Sequence, residues 1–390
     1  MISLDRITGK TVWDRSLVPP RREYKNPSND GASPSAVTDG TNVYAFFGDY
    51  GLISCDGRGN ERWRTPLGPF SSLWGMGTSP ILAGDTVILV MDGFSGSLIA
   101  GFDRDSGRKK WEAERPAFAL NYSTPVLRPL AEGGSEVLVL GAVDLSSYDT
   151  SSGERRWSVA DQRGSVVASP VLVDDRTVVS METAMEETPP FPDKDGDGVV
   201  GATDIPTEAK EWQTARTLNM VAKELGNRDG RISPAEWKAF WSGYQGKPSV
   251  AATNIGTPAE RSPARGTRWS YTKGIARVAT PLAYGGVEYY VNMGGIVTAL
   301  DLETGGATKT GRLAGALDGY YASPVAAEGR LYFTSDTGKI VVVRAGGDWT
   351  VLATNDLDDP CYATPALSDG KIFVRTALSL YCFGTSDEGH

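Results

Sequence analysis

The chain has 390 residues, a formal net charge of −9, three cysteines and a single histidine, His390, at its extreme end. The negative sum is the wrong sign for a nucleic-acid backbone or an anionic membrane surface as the main partner. A terminal histidine excludes a histidine triad, a His-ligated zinc centre and a histidine general base unless the tail folds back, and no apolar run is long enough to span a membrane as a helix.

In chain order, the first readable element is a phrase: Leu4-Asp5, Thr8-Gly9, Trp13. It returns as Phe102-Asp103, Ser106-Gly107, Trp111, then as Tyr148-Asp149, Ser152-Gly153, Trp157, and as Leu300-Asp301 with Thr304-Gly305; looser copies end at Trp63, Trp269 and Trp349. A second marker, a small hydroxylated residue before proline, precedes each apolar run: Ser79-Pro80, Thr124-Pro125, Ser169-Pro170, Thr280-Pro281, Ser323-Pro324 and Thr364-Pro365, with Ser35-Ala36 as a variant. Successive markers lie about 41 to 45 residues apart except for one gap of about 111, which is the period of four-stranded propeller blades with roughly 65 residues inserted once.

One period shows how a blade follows from its residues. Ser79-Pro80 opens a strand, where a missing N–H is tolerated. Residues 86–91 are β-branched and apolar, as a strand buried on both faces requires. Residues 97–102 form a third strand, and 103–107 a hairpin in which Asp103 accepts backbone bonds and Gly107 supplies positive φ. Trp111 then lies on the outer strand, filling the wedge between diverging blades. The 46 glycines and 23 prolines suit so many tight turns.

The pattern stops over 182–250. Asp193, Asp195 and Asp197, Gly198, the carbonyl of Val199 and Asp204 fit positions one, three, five, six, seven and twelve of an EF-hand loop, whose hard oxygen ligands select Ca²⁺. Prolines 189, 190 and 192 stand where an entering helix would be, as in the loops of dockerins. A second copy keeps Asn227, Asp229, Gly230, Arg231 at the carbonyl position, and Glu236, but places Leu225 where the first ligand belongs, so weaker binding is expected there. Val200 and Ile232 are expected to pair the two loops, residues 207–225 to form a helix, and Trp237, Phe240 and Trp241 to pack a second one.

Beyond the insert the period resumes. Residues 363–384 supply three strands and no tryptophan, and the opening segment supplies a tryptophan-bearing fourth strand; joined, they give seven blades. Met1 falls in mid-blade, so a longer natural chain would carry a half blade more, making eight, and an export signal upstream. Cys55, Cys361 and Cys382 cannot all pair and have no Cys-x-x-Cys spacing, so buried inert thiols are expected. The expected fold is therefore an all-β propeller of four-stranded blades (1–181 and 251–390) with a small helical calcium-binding insertion (182–250).

The tandem Leu-Asp-x-x-Thr-Gly-x-x-x-Trp phrase resembles the repeat of pyrroloquinoline-quinone-type (PQQ, quinoprotein-like) propellers over nearly the whole chain outside the insert. That family includes quinone- and calcium-dependent dehydrogenases, outer-membrane assembly scaffolds and sensor domains, so the resemblance implies fold more than activity. Its dehydrogenases carry a vicinal cysteine pair beside the quinone; no two cysteines are adjacent here, and no catalytic residue is assigned.

First strands of a propeller line its central channel, so residues just before them are expected at the channel mouth: Trp74, Tyr122, Arg277, Tyr320, Tyr321 and Tyr362, a set able to hold a planar ligand or an anion. The leading reading is a non-catalytic, periplasmic or secreted monomeric scaffold that binds a protein or carbohydrate partner and holds Ca²⁺. The alternatives are a quinone- and calcium-dependent oxidoreductase and a cell-surface assembly module acting through the dockerin-like insert.

Overall fold

Seven markers give seven sheets in this computed structural model, which describes residues 1–20, 31–70, 72, 74–93, 96–115, 121–142, 144–159, 166–174, 177–182, 187–207, 218–219, 221–222, 227, 229–242, 245, 247–257, 265–276 and 278–384. The sheets cover 37–65, 81–114, 126–159, 171–271, 282–312, 325–356 and 366–383, and are numbered here as blades one to seven. Within these sheets every strand pairs antiparallel with its chain neighbour, with four strands in the first six and three in the seventh. Blade two shows the pattern: Ile81–Ala83, Thr86–Gly93, Gly96–Asp103 and Lys109–Glu114. The all-β propeller fold expected from the repeat is the fold observed.

The opening strands Ile2–Leu4 and Thr11–Asp14 pair with each other as a separate two-stranded sheet, rather than lending a fourth strand to blade seven. The reason is in the phrase: Leu4-Asp5 and Trp13 are the third and fourth strands of one repeat and satisfy each other.

By compactness the chain divides into Met1–Val166 with Met185–Gly246, and Val167–Ala184 with Lys247–His390. In the first unit Tyr44, Phe46, Val87 and Leu89 pack blade one on blade two; in the second, Tyr289, Val291, Leu331 and Phe333 pack blade five on blade six. Each such side chain contributes roughly 1.5–3 kcal/mol by leaving water, so the blades are joined by many small cores in series.

Two repeated joints explain the residues of the two markers. The tryptophan of one blade lies on the turn of the next: Trp63 Nε1 donates to the Arg104 carbonyl (3.0 Å), Trp111 Nε1 to Thr150 (3.1 Å), Trp269 Nε1 to Leu302 (2.9 Å), and Trp13 Nε1 to Gly57 (3.1 Å). The indole rests on the turn glycine, so that a Cβ on Gly107 would fall 2.4 Å from Trp63, one on Gly153 2.3 Å from Trp111 and one on Gly305 2.5 Å from Trp269. The turn is made by aspartate: Asp301 Oδ1 accepts the Thr304 N–H and hydroxyl, both at 2.8 Å, and the Gly305 N–H reaches the Asp301 carbonyl at 2.8 Å. Those hydrogen bonds, led by the Thr304 hydroxyl, hold the Asp301 carboxyl below its ordinary range.

The second joint uses the marker hydroxyls. The Ser35 N–H donates to Ser79 Oγ (2.9 Å) and the Ser79 N–H to Thr124 Oγ1 (3.1 Å). In the second unit Ser169 donates to Thr280, Thr280 to Ser323 and Ser323 to Thr364, each at 3.0 Å. A hydroxyl suits this place because the residue before proline turns its N–H toward the neighbouring blade, and such a bond contributes about 0.5–1.5 kcal/mol.

Two tryptophans depart from the pattern. Trp157 Nε1 donates to Glu136 Oε2 of its own blade (3.1 Å), and Trp349 packs back under Gly311, with Lys309 Nζ 4.8 Å from its ring centre. Cys55 and Cys361 are buried as expected, but Cys382 is exposed, because the strand Leu380–Phe383 is the last of a three-stranded sheet.

Buried charge is met in two ways. Arg115 is clamped by Asp92 (2.9 Å), whose other oxygen accepts from Asn121 Nδ2 (2.7 Å), and Glu136 is held by Arg128 and Ser147. Glu288 in blade five is different. It is fully buried, neither carboxylate oxygen has a hydrogen-bond partner, and burial pushes its carboxyl up to about 8.

Candidate functional site

The insert leaves blade four after Thr177–Glu182 and returns at Ser249–Asn254, two strands that pair directly from Thr177↔Asn254 to Glu182↔Ser249. Val200 and Ile232 exchange both backbone bonds, at 2.9 and 3.0 Å, the pairing expected between the two loops. Beneath them Leu218, Val221, Ala222, Trp237 and Phe240 form a separate core. The helix Pro234–Ser242 starts at a capping box in which Ser233 and Glu236 bond each other's backbone, Glu236 Oε2 accepting the Ser233 N–H at 2.9 Å and Ser233 Oγ the Glu236 N–H at 3.2 Å. Leu218, Asn219, Val221 and Ala222 are helical; the rest of the helix expected over 207–225 falls almost wholly outside the described residues.

In the first loop Asp193, Asp195 and Asp197 each place a carboxylate oxygen within 4.8 Å of the others. The loop backbone fixes them: Asp193 accepts the Gly196 and Gly198 N–H groups (2.8 and 2.9 Å), Asp195 that of Asp197 (3.2 Å), and Asp197 that of Val199 (3.0 Å). Gly196 and Gly198 have φ of +78° and +89°, which lets the chain turn this sharply. Asp204 is fully buried and accepts the N–H groups of Lys194 (2.6 Å) and Gly201 (2.8 Å), bonds that hold its carboxyl below the ordinary range, Gly201 foremost. It closes the loop onto its own backbone, while the three-carboxylate cluster lies at Asp193, Asp195 and Asp197.

The second loop has no such cluster among the described residues. Asn227 Nδ2 donates to Asp229 (3.0 Å), Asp229 accepts the Arg231 N–H (2.7 Å), and Glu236 Oε1 accepts the Asn227 N–H (2.9 Å). These polar groups satisfy one another.

Of the residues expected at the channel mouth, Tyr321 and Tyr362 are brought together with ring centroids 5.6 Å apart, and both are exposed. Tyr320 is not at a mouth: it is buried in the core between blades five and six, its hydroxyl donating to the Ala316 carbonyl at 3.0 Å. Adjacent residues point to opposite sides, and the sequence places both tyrosines in one loop without saying which faces out. Tyr122 is half-buried against Gly77 with its hydroxyl 3.3 Å from Ser72 Oγ, and Trp74 is exposed. Those two belong to the first unit and the tyrosines to the second; Arg277 lies outside the described residues.

Antiparallel four-stranded blades joined by tryptophan on turn glycine define a PQQ-like β-propeller. The chain belongs to the family described as outer membrane protein assembly factor BamB, whose model matches residues 2–310. It is 22% identical over 305 residues to the outer membrane protein assembly factor BamB of Yersinia pestis, covering 75% of this chain and 70% of that protein. It is 28% identical over 177 residues to the serine/threonine-protein kinase AfsK of Streptomyces griseus, covering 44% of this chain and only 21% of the kinase. Among solved structures it resembles BamB from Moraxella catarrhalis (TM-score 0.56, 14% identity, covering 90% of this chain and 84% of that one). It also resembles the computationally designed protein Ika8 (TM-score 0.60, 11% identity, covering 98% and 90%). Those two likenesses bear on the fold alone. No helix among the described residues is long and apolar enough to cross a membrane.

Proposed function

We propose that the chain is a non-catalytic, extracytoplasmic propeller scaffold that presents a rigid face to a protein partner, with Ca²⁺ held by the first loop of its insert. The observation that carries the scaffold reading is the BamB family match across residues 2–310. The Yersinia pestis relative, named as an outer membrane protein assembly factor, supports a protein partner and a place outside the cytoplasm. The repeat's polar residues support it too, since its aspartates, hydroxyls and indoles are spent on joints between and within blades.

Mixing the chain with pyrroloquinoline quinone and Ca²⁺, then recording bound-quinone absorbance and dye-linked alcohol oxidation, tests this against the oxidoreductase alternative. Neither a bound chromophore nor turnover is expected; turnover above a protein-free control overturns the scaffold reading.

For the insert, the clustered oxygens of Asp193, Asp195 and Asp197 support a hard divalent cation. Ca²⁺ at a hundredfold excess over its Kd should stabilise the insert by about 2.7 kcal/mol. Calorimetric titration of wild type should give binding heat that an Asp193→Ala, Asp195→Ala variant lacks. Equal heats from both would remove the loop as the site.

A further inference from the structure

One end of the second unit carries apolar side chains that its own packing leaves bare. Leu317 is 60% exposed, Tyr321 40%, Tyr362 62% and Leu378 87%. They come from crossovers between blades (Leu317, Tyr321, Tyr362) and from a hairpin joining a second to a third strand (Leu378), two kinds of loop that emerge at the same end of an up-and-down blade. Backbone bonds tie these loops into a row: Gly294 N–H to Asp318 O (2.9 Å), Asp336 N–H to Gly319 O (2.8 Å), Cys361 N–H to Asp336 O (3.1 Å) and Ala377 N–H to Pro360 O (2.7 Å). Tyr321 and Tyr362 are in ring contact at an interplanar angle of 53°, and Leu317 and Leu378 emerge from the loops tied to theirs; apolar exposure grouped at one end marks interaction sites where scattered single residues do not.

The charge around the patch is negative on balance. Lys339 Nζ pairs with Asp318 (3.2 Å), while Arg312 and Arg375 donate to the carbonyls of Gly294 and Ser379 (3.2 Å each) and keep their charge. Beside Tyr362 stand Asp356, Asp358 and Asp359, none with a basic partner among the described residues. Asp356 accepts the Asp358 N–H (2.9 Å) and Asp359 Oδ2 the Leu378 N–H (3.2 Å). Asp359 is buried and its Oδ1 has no hydrogen-bond partner. Aromatic faces flanked by carboxylates that have no basic hydrogen-bond partner suit a cation on an alkyl or planar stem, which gains from ring and carboxylate together.

We propose that this end of the second unit docks a basic segment of a partner protein. A Lys or Arg of that segment lies over the Tyr321–Tyr362 pair toward Asp356 and Asp358, and its aliphatic neighbours cover Leu317 and Leu378. The proposal names the surface and the partner chemistry of the scaffold and so rests on the scaffold reading.

Fluorescence anisotropy with the full chain tests it, using a fluorescein-labelled peptide of alternating arginine and leucine and a counterpart with glutamate for arginine. The basic peptide should bind the wild type roughly tenfold or more tighter than the acidic one, and Tyr321→Ala with Tyr362→Ala, or Asp356→Asn with Asp358→Asn, should each lose most of that preference. Glu303→Gln with Glu328→Gln, exposed carboxylates in turns of the other kind, should leave it unchanged. Equal loss in that control would reduce the effect to bulk negative charge and overturn the proposal, as would tyrosine variants that bind like wild type. A wild-type dimer in size-exclusion chromatography that the tyrosine variants abolish would assign the face to a second copy instead. Failure here without quinone turnover sinks the surface and leaves the scaffold standing; turnover sinks the scaffold itself.

Discussion

Replacing Glu288 by leucine should make the protein more stable, and increasingly so as pH rises. In each of the other six blades the residue at this point of the ladder is aliphatic: Val43, Val87, Val137, Val178, Leu331 and Ile372 pair with the residue three after their marker, as Glu288 pairs with Ala283. The fold therefore has no need of a carboxyl there. Burial raises its folded value from 4.5 to about 8, so folding takes up a proton between those limits. The sign follows: the unfolded chain ionises above pH 4.5, the folded one holds its proton until about pH 8, and stability falls across that window and then levels. At about 1.4 kcal/mol per pH unit, the advantage of Glu288→Leu should grow by roughly 4 kcal/mol between pH 5 and pH 8.5. Urea melts of both proteins at the two pH values measure it. Parallel changes in the two proteins would show that the carboxyl is not the sensitive group.

The second large effect is expected at a single methyl. Gly107→Ala should cost about 2–4 kcal/mol, combining the strain of a left-handed backbone with an overpacked contact. Gly107 has φ of +72° and its added Cβ would stand 2.4 Å from the Trp63 ring. The chain contains its own control. Gly9 occupies the same turn of the first repeat at φ +69°, yet a Cβ there meets nothing within 4 Å. Gly9→Ala should therefore show the backbone cost alone, roughly 1 kcal/mol. Thermal unfolding of the two variants separates the contributions, and similar losses in both would mean that the indole yields and the joint is not rigid.

Periodicity made the blades legible, because a strand buried on both faces and a turn needing Asp and Gly leave local traces that recur. The joints were less so. Trp63 and Gly107 each read clearly as wedge and turn, but the fact that one sits on the other depends on a neighbour 44 residues away. Ser79 and Thr124 were visible as hydroxyls before proline, and their mutual bond was not, for the same reason. Glu288 was silent, since one carboxylate in Val-Glu-Tyr-Tyr-Val reads as the solvent side of an alternating strand, and only the pairing with blade four's apolar residues on that face makes it buried. The acidic loop was the most legible part of the candidate site, because its ligand spacing is local. The exposed pair Tyr321–Tyr362 was half legible: the residue types and their place before a strand were there, their contact across two blades was not.

The joints of a blade use the hydroxyl ahead of its first strand, the turn between its third and fourth strands and the tryptophan on its fourth. The hairpin between strands two and three takes part in neither, and Glu182 and Ser249 still face each other across the ladder where the insert departs. An independently cored module can thus be spliced at that hairpin without loosening either seam. In blades five to seven the same hairpins bond to the neighbouring crossovers through Gly294, Asp336 and Ala377, so a cassette grafted there would disturb those links where the one in blade four does not disturb the two seams.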